Sequence, residues 1–117
     1  MAMLFVGTTE GGHLFEEKKG KWQKTRSFLK GESVNHFAAD PRTGKVYAAT
    51  ATDGVFISKD KGKSWKRSGD GLHIKKVWTV AIHPKKPDIL LAGAHYGHLF
   101  KSEDGGETWK DMESIYT

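Results

Sequence analysis

Apolar and polar residues alternate along most of this chain, in short runs broken by glycine, aspartate and lysine. Alternation at period two is the pattern of a strand with one buried face, and no useful length of the chain keeps a helical period. In the middle of the chain the pattern predicts four strands. Strand a covers 34–39 and is followed by the turn Asp40-Pro41-Arg42-Thr43-Gly44. Strand b covers 45–51 and is followed by Thr52-Asp53-Gly54. Strand c covers 55–58, and strand d starts near Ser64. The aromatic residues Phe5, Phe15, Phe37, Phe56, Trp78 and Phe100 fit alternating strand positions and read mainly as packing between sheets.

The pattern repeats. Ser58-Lys59-Asp60-Lys61-Gly62-Lys63-Ser64-Trp65 returns as Ser102-Glu103-Asp104-Gly105-Gly106-Glu107-Thr108-Trp109, an offset of 44 residues. At the same offset Val46-Tyr47-Ala48-Ala49 falls on Leu90-Leu91-Ala92-Gly93. A third, decayed copy opens the chain. Leu4-Phe5-Val6-Gly7 aligns with Leu90 to Gly93, and Gly12-His13-Leu14-Phe15 recurs as Gly97-His98-Leu99-Phe100. Of the shared motif this copy keeps only Gly20 and Trp22. Four short strands in about 40–45 residues make one blade of a β-propeller. The predicted architecture is all-β, about two and two-thirds propeller blades in one partial domain over 1–117. Blade 1 (3–27) has strands b to d, and blades 2 (34–70) and 3 (77–113) have all four.

The motif S-x-D-x-G-x-[ST]-W is turn chemistry. Ser58, Asp60 and Ser64, with Ser102, Asp104 and Thr108, have short polar side chains that can bond the backbone of their own turn. Gly62 and Gly106 accept a positive φ, and Trp65 and Trp109 cover the hairpin. A calcium loop fails on charge and spacing. Lysines surround Asp60, and the twelfth position from Ser58 is Gly69 rather than a carboxylate.

On these motifs the chain resembles the Asp-box (BNR) repeat family, which includes sialidases and other glycoside hydrolases, sortilin-type receptors and photosystem II assembly factors. Val34-Asn35-His36 and Asp40-Pro41-Arg42-Thr43-Gly44 are similar to segments of bacterial, sialidase-like members. The resemblance implies a closed propeller, so the expected partners are remaining blades or self-association to complete the ring. It also implies a topology. The b–c and d–a loops share one face of the ring, the Asp boxes lie on the other, and strand a lines the channel. The ligand-binding candidates are therefore Asn35, His36, Asp53, Trp78, His95 and Tyr96, with Glu10, Glu32, Asp70, His73 and Thr79 nearby. A glycan or a protein segment is the expected ligand.

A catalytic set does not assemble in the sequence. Sialidase chemistry needs converging arginines, a tyrosine nucleophile and carboxylates. Arg26 and Arg67 fall in outer strands and Arg42 in an a–b turn. Tyr47 reads as a strand residue, and Tyr96 has no evident base beside it. The expectation is a binding or assembly scaffold, not catalytic by itself. The alternative is the N-terminal part of a sialidase-like or other glycoside hydrolase whose catalytic residues lie mostly in other blades. No cofactor and no metal are expected, because His95 and His98 on a turn lack a third ligand.

Composition changes this picture little. The net charge of +5 admits an acidic partner, but the lysines gather at hairpin tips such as Lys18, Lys19, Lys21, Lys59, Lys61 and Lys63, where they keep turns soluble. Nucleic acid is not the expected partner. There is no cysteine, no apolar run long enough for a membrane and no signal-peptide pattern at the start, so a cytoplasmic location is expected.

Overall fold

The computed structural model describes residues 2–112. Three antiparallel sheets follow one another along the chain. Blade 1 contains β1 (Met3–Thr8), β2 (Gly11–Lys18) and β3 (Lys21–Phe28). Blade 2 contains β4 (Val34–Asp40), β5 (Lys45–Thr50), β6 (Val55–Ser58) and β7 (Lys66–Arg67). Blade 3 contains β8 (Val77–Ile82), β9 (Leu90–Ala94), β10 (His98–Ser102) and β11 (Lys110–Asp111). Within every sheet, neighbours in space are neighbours in sequence, the meander of a propeller blade. Among the described residues blade 1 has three strands, with β1 at one edge of its sheet. Residue 113, the expected end of blade 3, lies outside the described residues.

Two details differ from the sequence reading. The outer strands β7 and β11 are two residues long, because the turn before each is held through Ser64 and Thr108 by the Asp box. The outer strand of blade 1 has no Asp box, and it runs for eight residues paired with β2, with one bulge where Leu14 and Phe15 meet it. The b–c connection of blade 3 contains a single 3-10 turn, His95–Gly97.

Successive blades stack face to face. Each has a leading face, toward the blade before it, and a trailing face, toward the blade after it. The main core lies between blades 2 and 3. Tyr47, Val55 and Ile57 come from one side and Val80, Leu90 and Trp109 from the other, all buried. Burying side chains of this size contributes roughly 1.5–3 kcal/mol each, which makes this seam the main source of stability.

Candidate functional site

Ser58 Oγ donates to Asp60 Oδ1 (2.8 Å) and accepts the N–H of Gly62 (2.7 Å). Asp60 in turn accepts the N–H of Ser64 (2.8 Å) and its hydroxyl (2.6 Å). Blade 3 repeats the circuit. Ser102 bridges Asp104 and Gly106 at 2.8 Å each, and Asp104 accepts the N–H and hydroxyl of Thr108 at 2.9 and 2.5 Å. The Ser64 hydroxyl and N–H hold Asp60 at a pKa of about 2, and those of Thr108 do the same for Asp104. The carboxylates are thus fixed as ionised acceptors inside their own turns. Gly62 and Gly106 have φ of 90° and 93°. In both boxes the serine and aspartate side chains bond within their own turn.

The other turns meet at the opposite end of the blades. The b–c loop of blade 2 is tied to the d–a segments on both sides of it. Ala51 N–H donates to Ser33 O (2.8 Å) and Gly54 N–H to Lys75 O (2.8 Å). The Thr52 hydroxyl donates to Glu32 Oε1 (2.6 Å). In blade 3, His95 N–H donates to Lys76 O (2.8 Å). The b–c and d–a loops therefore share one face, which gathers most of the candidates.

The structure sorts those candidates into three groups. Asn35 and His36 tie inner strands together. Asn35 Nδ2 donates to Val77 O (2.9 Å), and His36 Nδ1 accepts the N–H of Val80 (3.4 Å) with the Thr79 hydroxyl 3.4 Å away. Both side chains are engaged between β4 and β8, which favours a blade-joining role. Asp53 belongs to a cleft of about 470 Å³ beside the blade 2–3 seam, lined also by Arg67, Asp70, His73 and Lys75. There Asp53 Oδ1 lies 2.8 Å from Arg67 and 3.8 Å from Lys75. Trp78 and His95 form the third group. The Trp78 ring is half exposed, with the His95 ring at 6.3 Å and the Lys76 ammonium 5.9 Å from its centroid. An exposed indole beside an imidazole and an ammonium offers a flat apolar surface with polar groups at its rim. The side chain of Tyr96 lies outside the described residues.

Sequence reasoning missed Lys75 and Lys76. Their signal was position, immediately before an inner strand on the loop face. His98 turns toward Asp111 (3.4 Å), which His73 also meets at 3.2 Å, while His95 stands by Trp78. Among the described residues no group of three His, Asp or Glu side chains is arranged to hold a metal. Arg26 and Arg67 lie in outer strands and Arg42 in the a–b turn, as expected. Arg42 is committed to Asp40. Burial pushes the Asp40 carboxyl up, but the Arg42 N–H and guanidinium and the Thr43 hydroxyl outweigh it and leave the pKa below its ordinary value. Tyr47 is buried, and burial, with the Asp88 charge second, raises its pKa to about 12, which holds its hydroxyl in the neutral form.

The sequence pattern of the Sortilin-Vps10 family (sortilin, neurotensin receptor 3) matches residues 16–116. The chain belongs to this family. It is also 25% identical, over 97% of its length, to the oligoxyloglucan-reducing end-specific xyloglucanase of Emericella nidulans. It is 29% identical over 66% of its length to the vacuolar protein sorting/targeting protein 10 of Laccaria bicolor. The chain spans 16% and 5% of those two proteins. Among solved structures it superposes on an ancestral GH74 enzyme (TM-score 0.70, 22% identity), covering 92% of this chain and 16% of that one. It superposes equally on YCF48 bound to D1 peptide (TM-score 0.70, 12% identity), covering 93% of this chain and 36% of that one. These likenesses establish the β-propeller fold of this Sortilin-Vps10 family chain.

Proposed function

We propose that this propeller segment is a binding scaffold that holds a glycan on its b–c/d–a loop face without reacting it. The observation that carries the reading is the half-exposed Trp78 ring, set beside His95 and Lys76 on the face where the loops converge. An indole of this kind stacks on the apolar C–H face of a sugar ring, while neighbouring polar groups meet its hydroxyls. Support also comes from what surrounds it. Asp53 is held by Arg67 and Lys75 and Glu32 by Thr52, so these two loop-face carboxylates are engaged as acceptors within the loop face.

The second reading is a segment of a glycoside hydrolase whose acid and base lie in other blades. It is favoured by the xyloglucanase relative that aligns along 97% of the chain. Calorimetric titration with xyloglucan oligosaccharides, together with a reducing-sugar assay, separates the two. The scaffold reading expects binding without turnover. It also expects Trp78→Ala to weaken binding by about 2 kcal/mol, roughly 30-fold. Turnover by this chain would replace it with the hydrolase reading, and no binding would remove the glycan.

A further inference from the structure

Both ends of the three-blade stack carry the kind of surface that the inside of the stack buries. On the leading side, Leu4 and Trp22 of blade 1 occupy the repeat positions of Leu90 and Trp109 in blade 3. Leu4 is 51% exposed and Leu90 0%; Trp22 is 49% exposed and Trp109 6%. Phe15 pairs directly across the sheet with Leu4, and Trp22 with Glu17, so these apolar side chains share one face. On the trailing side, Leu91 of blade 3 occupies the position of Tyr47 in blade 2 and of Phe5 in blade 1. Each of those two receives the Asp-box glycine of the following blade. A Cβ on Gly106 would stand 3.3 Å from the Tyr47 ring, and one on Gly62 2.9 Å from the Phe5 ring. Leu91 is 41% exposed, while Tyr47 is 0% exposed.

Charge says what these two faces fit. At the seam of blades 2 and 3, Lys59 of the trailing turn meets Glu107 of the leading turn at 3.3 Å. On the open trailing face the position of Lys59 is held by Glu103. On the open leading face Lys19 and Lys21 flank Gly20, the residue two before Trp22, as Glu107 is two before Trp109. The pair has its signs exchanged and stays complementary. We propose that the trailing face of blade 3 docks head to tail on the leading face of blade 1 of a second copy of this chain. A closed propeller has about four to eight blades. Two copies of these three blades make six, which lies within that range. Such a contact is heterologous, and closure is what prevents it from growing into a filament.

Light scattering after size exclusion on the purified chain tests this. The expected result is one species at twice 13.0 kDa, stable over micromolar concentrations. Leu91→Lys and Leu4→Lys, at exposed positions on opposite faces, should each give a monomer with an unchanged circular dichroism spectrum. Mixing the two variants should restore a dimer, because one intact face from each can then meet. Glu103→Lys should raise the dissociation constant by roughly fivefold, and adding Lys19→Glu and Lys21→Glu to it should restore the original value. A monomer at every concentration, an aggregate of no fixed mass, or a dimer that survives both lysine variants would each overturn the proposal. Failure of the mixed pair to associate would overturn the head-to-tail arrangement.

Discussion

The two seams inside this molecule solve the same packing problem with different chemistry. Between blades 1 and 2 the contact is largely aromatic. Phe5, Phe28, Phe37 and Trp65 sit with ring centroids 4.9–6.2 Å apart, none of them fully buried. Between blades 2 and 3 the apolar core is buried and is crossed by polar ties. Tyr47 OH donates to Gly105 O (3.2 Å), Trp109 Nε1 donates to Ser68 Oγ (2.6 Å), and Ser68 Oγ donates to Gly106 O. Asp70 and Thr108 add a parallel backbone bridge, with Trp109 N–H donating to Asp70 O (2.8 Å). Rings can slide on one another at little cost, whereas hydrogen bonds between fixed backbones set one register. The second seam is the one fixed in register, and the Asp53 cleft lies beside it.

Glycine substitution breaks this comparison most sharply. A Cβ on Gly71 would fall 1.9 Å from Trp109 O, at a φ of +94°. Neither backbone can yield, so Gly71→Ala should cost about 4 kcal/mol and free blade 3 from blade 2. A Cβ on Gly12 meets the edges of Phe28 and Phe37 at 2.4 and 2.9 Å. Those rings can turn, and Gly12→Ala should cost about 2 kcal/mol. Urea denaturation ranks the two, and equal costs would mean that the first seam is as unyielding as the second. Tryptophan truncation comes next. Trp109→Ala removes a buried ring and a bond to Ser68, for about 3–4 kcal/mol; Trp65→Ala, at a half-buried ring, should cost about half as much. Hydrogen exchange should place the first loss in β9 and β10 and the second in β2 and β3.

The repeat was legible because Asp-box chemistry is local. Ser58, Asp60, Gly62 and Ser64 bond within seven residues, so spacing alone exposes them. Strand d begins at Lys66 rather than near Ser64 because β pairing and box closure compete for the residues around Ser64, and the carboxylate of Asp60 takes the N–H of Ser64. The loop face was harder to read. Asn35 and His36 look like channel residues, yet the atoms they bind are backbone groups more than 40 positions away. Asp53 was legible as a loop carboxylate, but its clamp comes from Arg67 and Lys75, on two other segments. Trp78 and His95 could be placed on one face from topology, and their pairing needed the register of β8 against β9.

The hydroxyl of Tyr47 sharpens the comparison further, because the same repeat position in blade 1 holds Phe5. Tyr47→Phe would leave Gly105 O buried without its donor and should cost about 1–2 kcal/mol. Thermal unfolding should show a lower midpoint, with the aromatic seam untouched. Acid should act on both boxes together. Asp60 and Asp104 have folded pKa values of about 2, below the ordinary 3.8, so their ionised forms favour the folded chain. That stability is complete above about pH 4 and is lost as the pH falls through about 2. Asp60→Asn and Asp104→Asn should each flatten the acid limb of a stability–pH curve. An acid limb unchanged in both variants would mean that other carboxylates govern it.

The smallest effect lies within the boxes themselves. Gly105 takes φ +73° in blade 3, and the same position in blade 2 is Lys61 at φ +61°. A left-handed conformation costs a side chain about 1–2 kcal/mol, while glycine adds about 0.4–1 kcal/mol of freedom to the unfolded chain. Lys61 also rests its stem on Gly44, with 3.3 Å from Lys61 Cγ to where a Gly44 Cβ would stand, and glycine would lose that contact. The terms nearly cancel, leaving Lys61→Gly a gain of about 0.5 kcal/mol or less. A clear gain in the unfolding midpoint would identify backbone strain as the difference between the two boxes. A loss would show that the lysine stem, packed against the a–b turn, is what holds the blade 2 box in place.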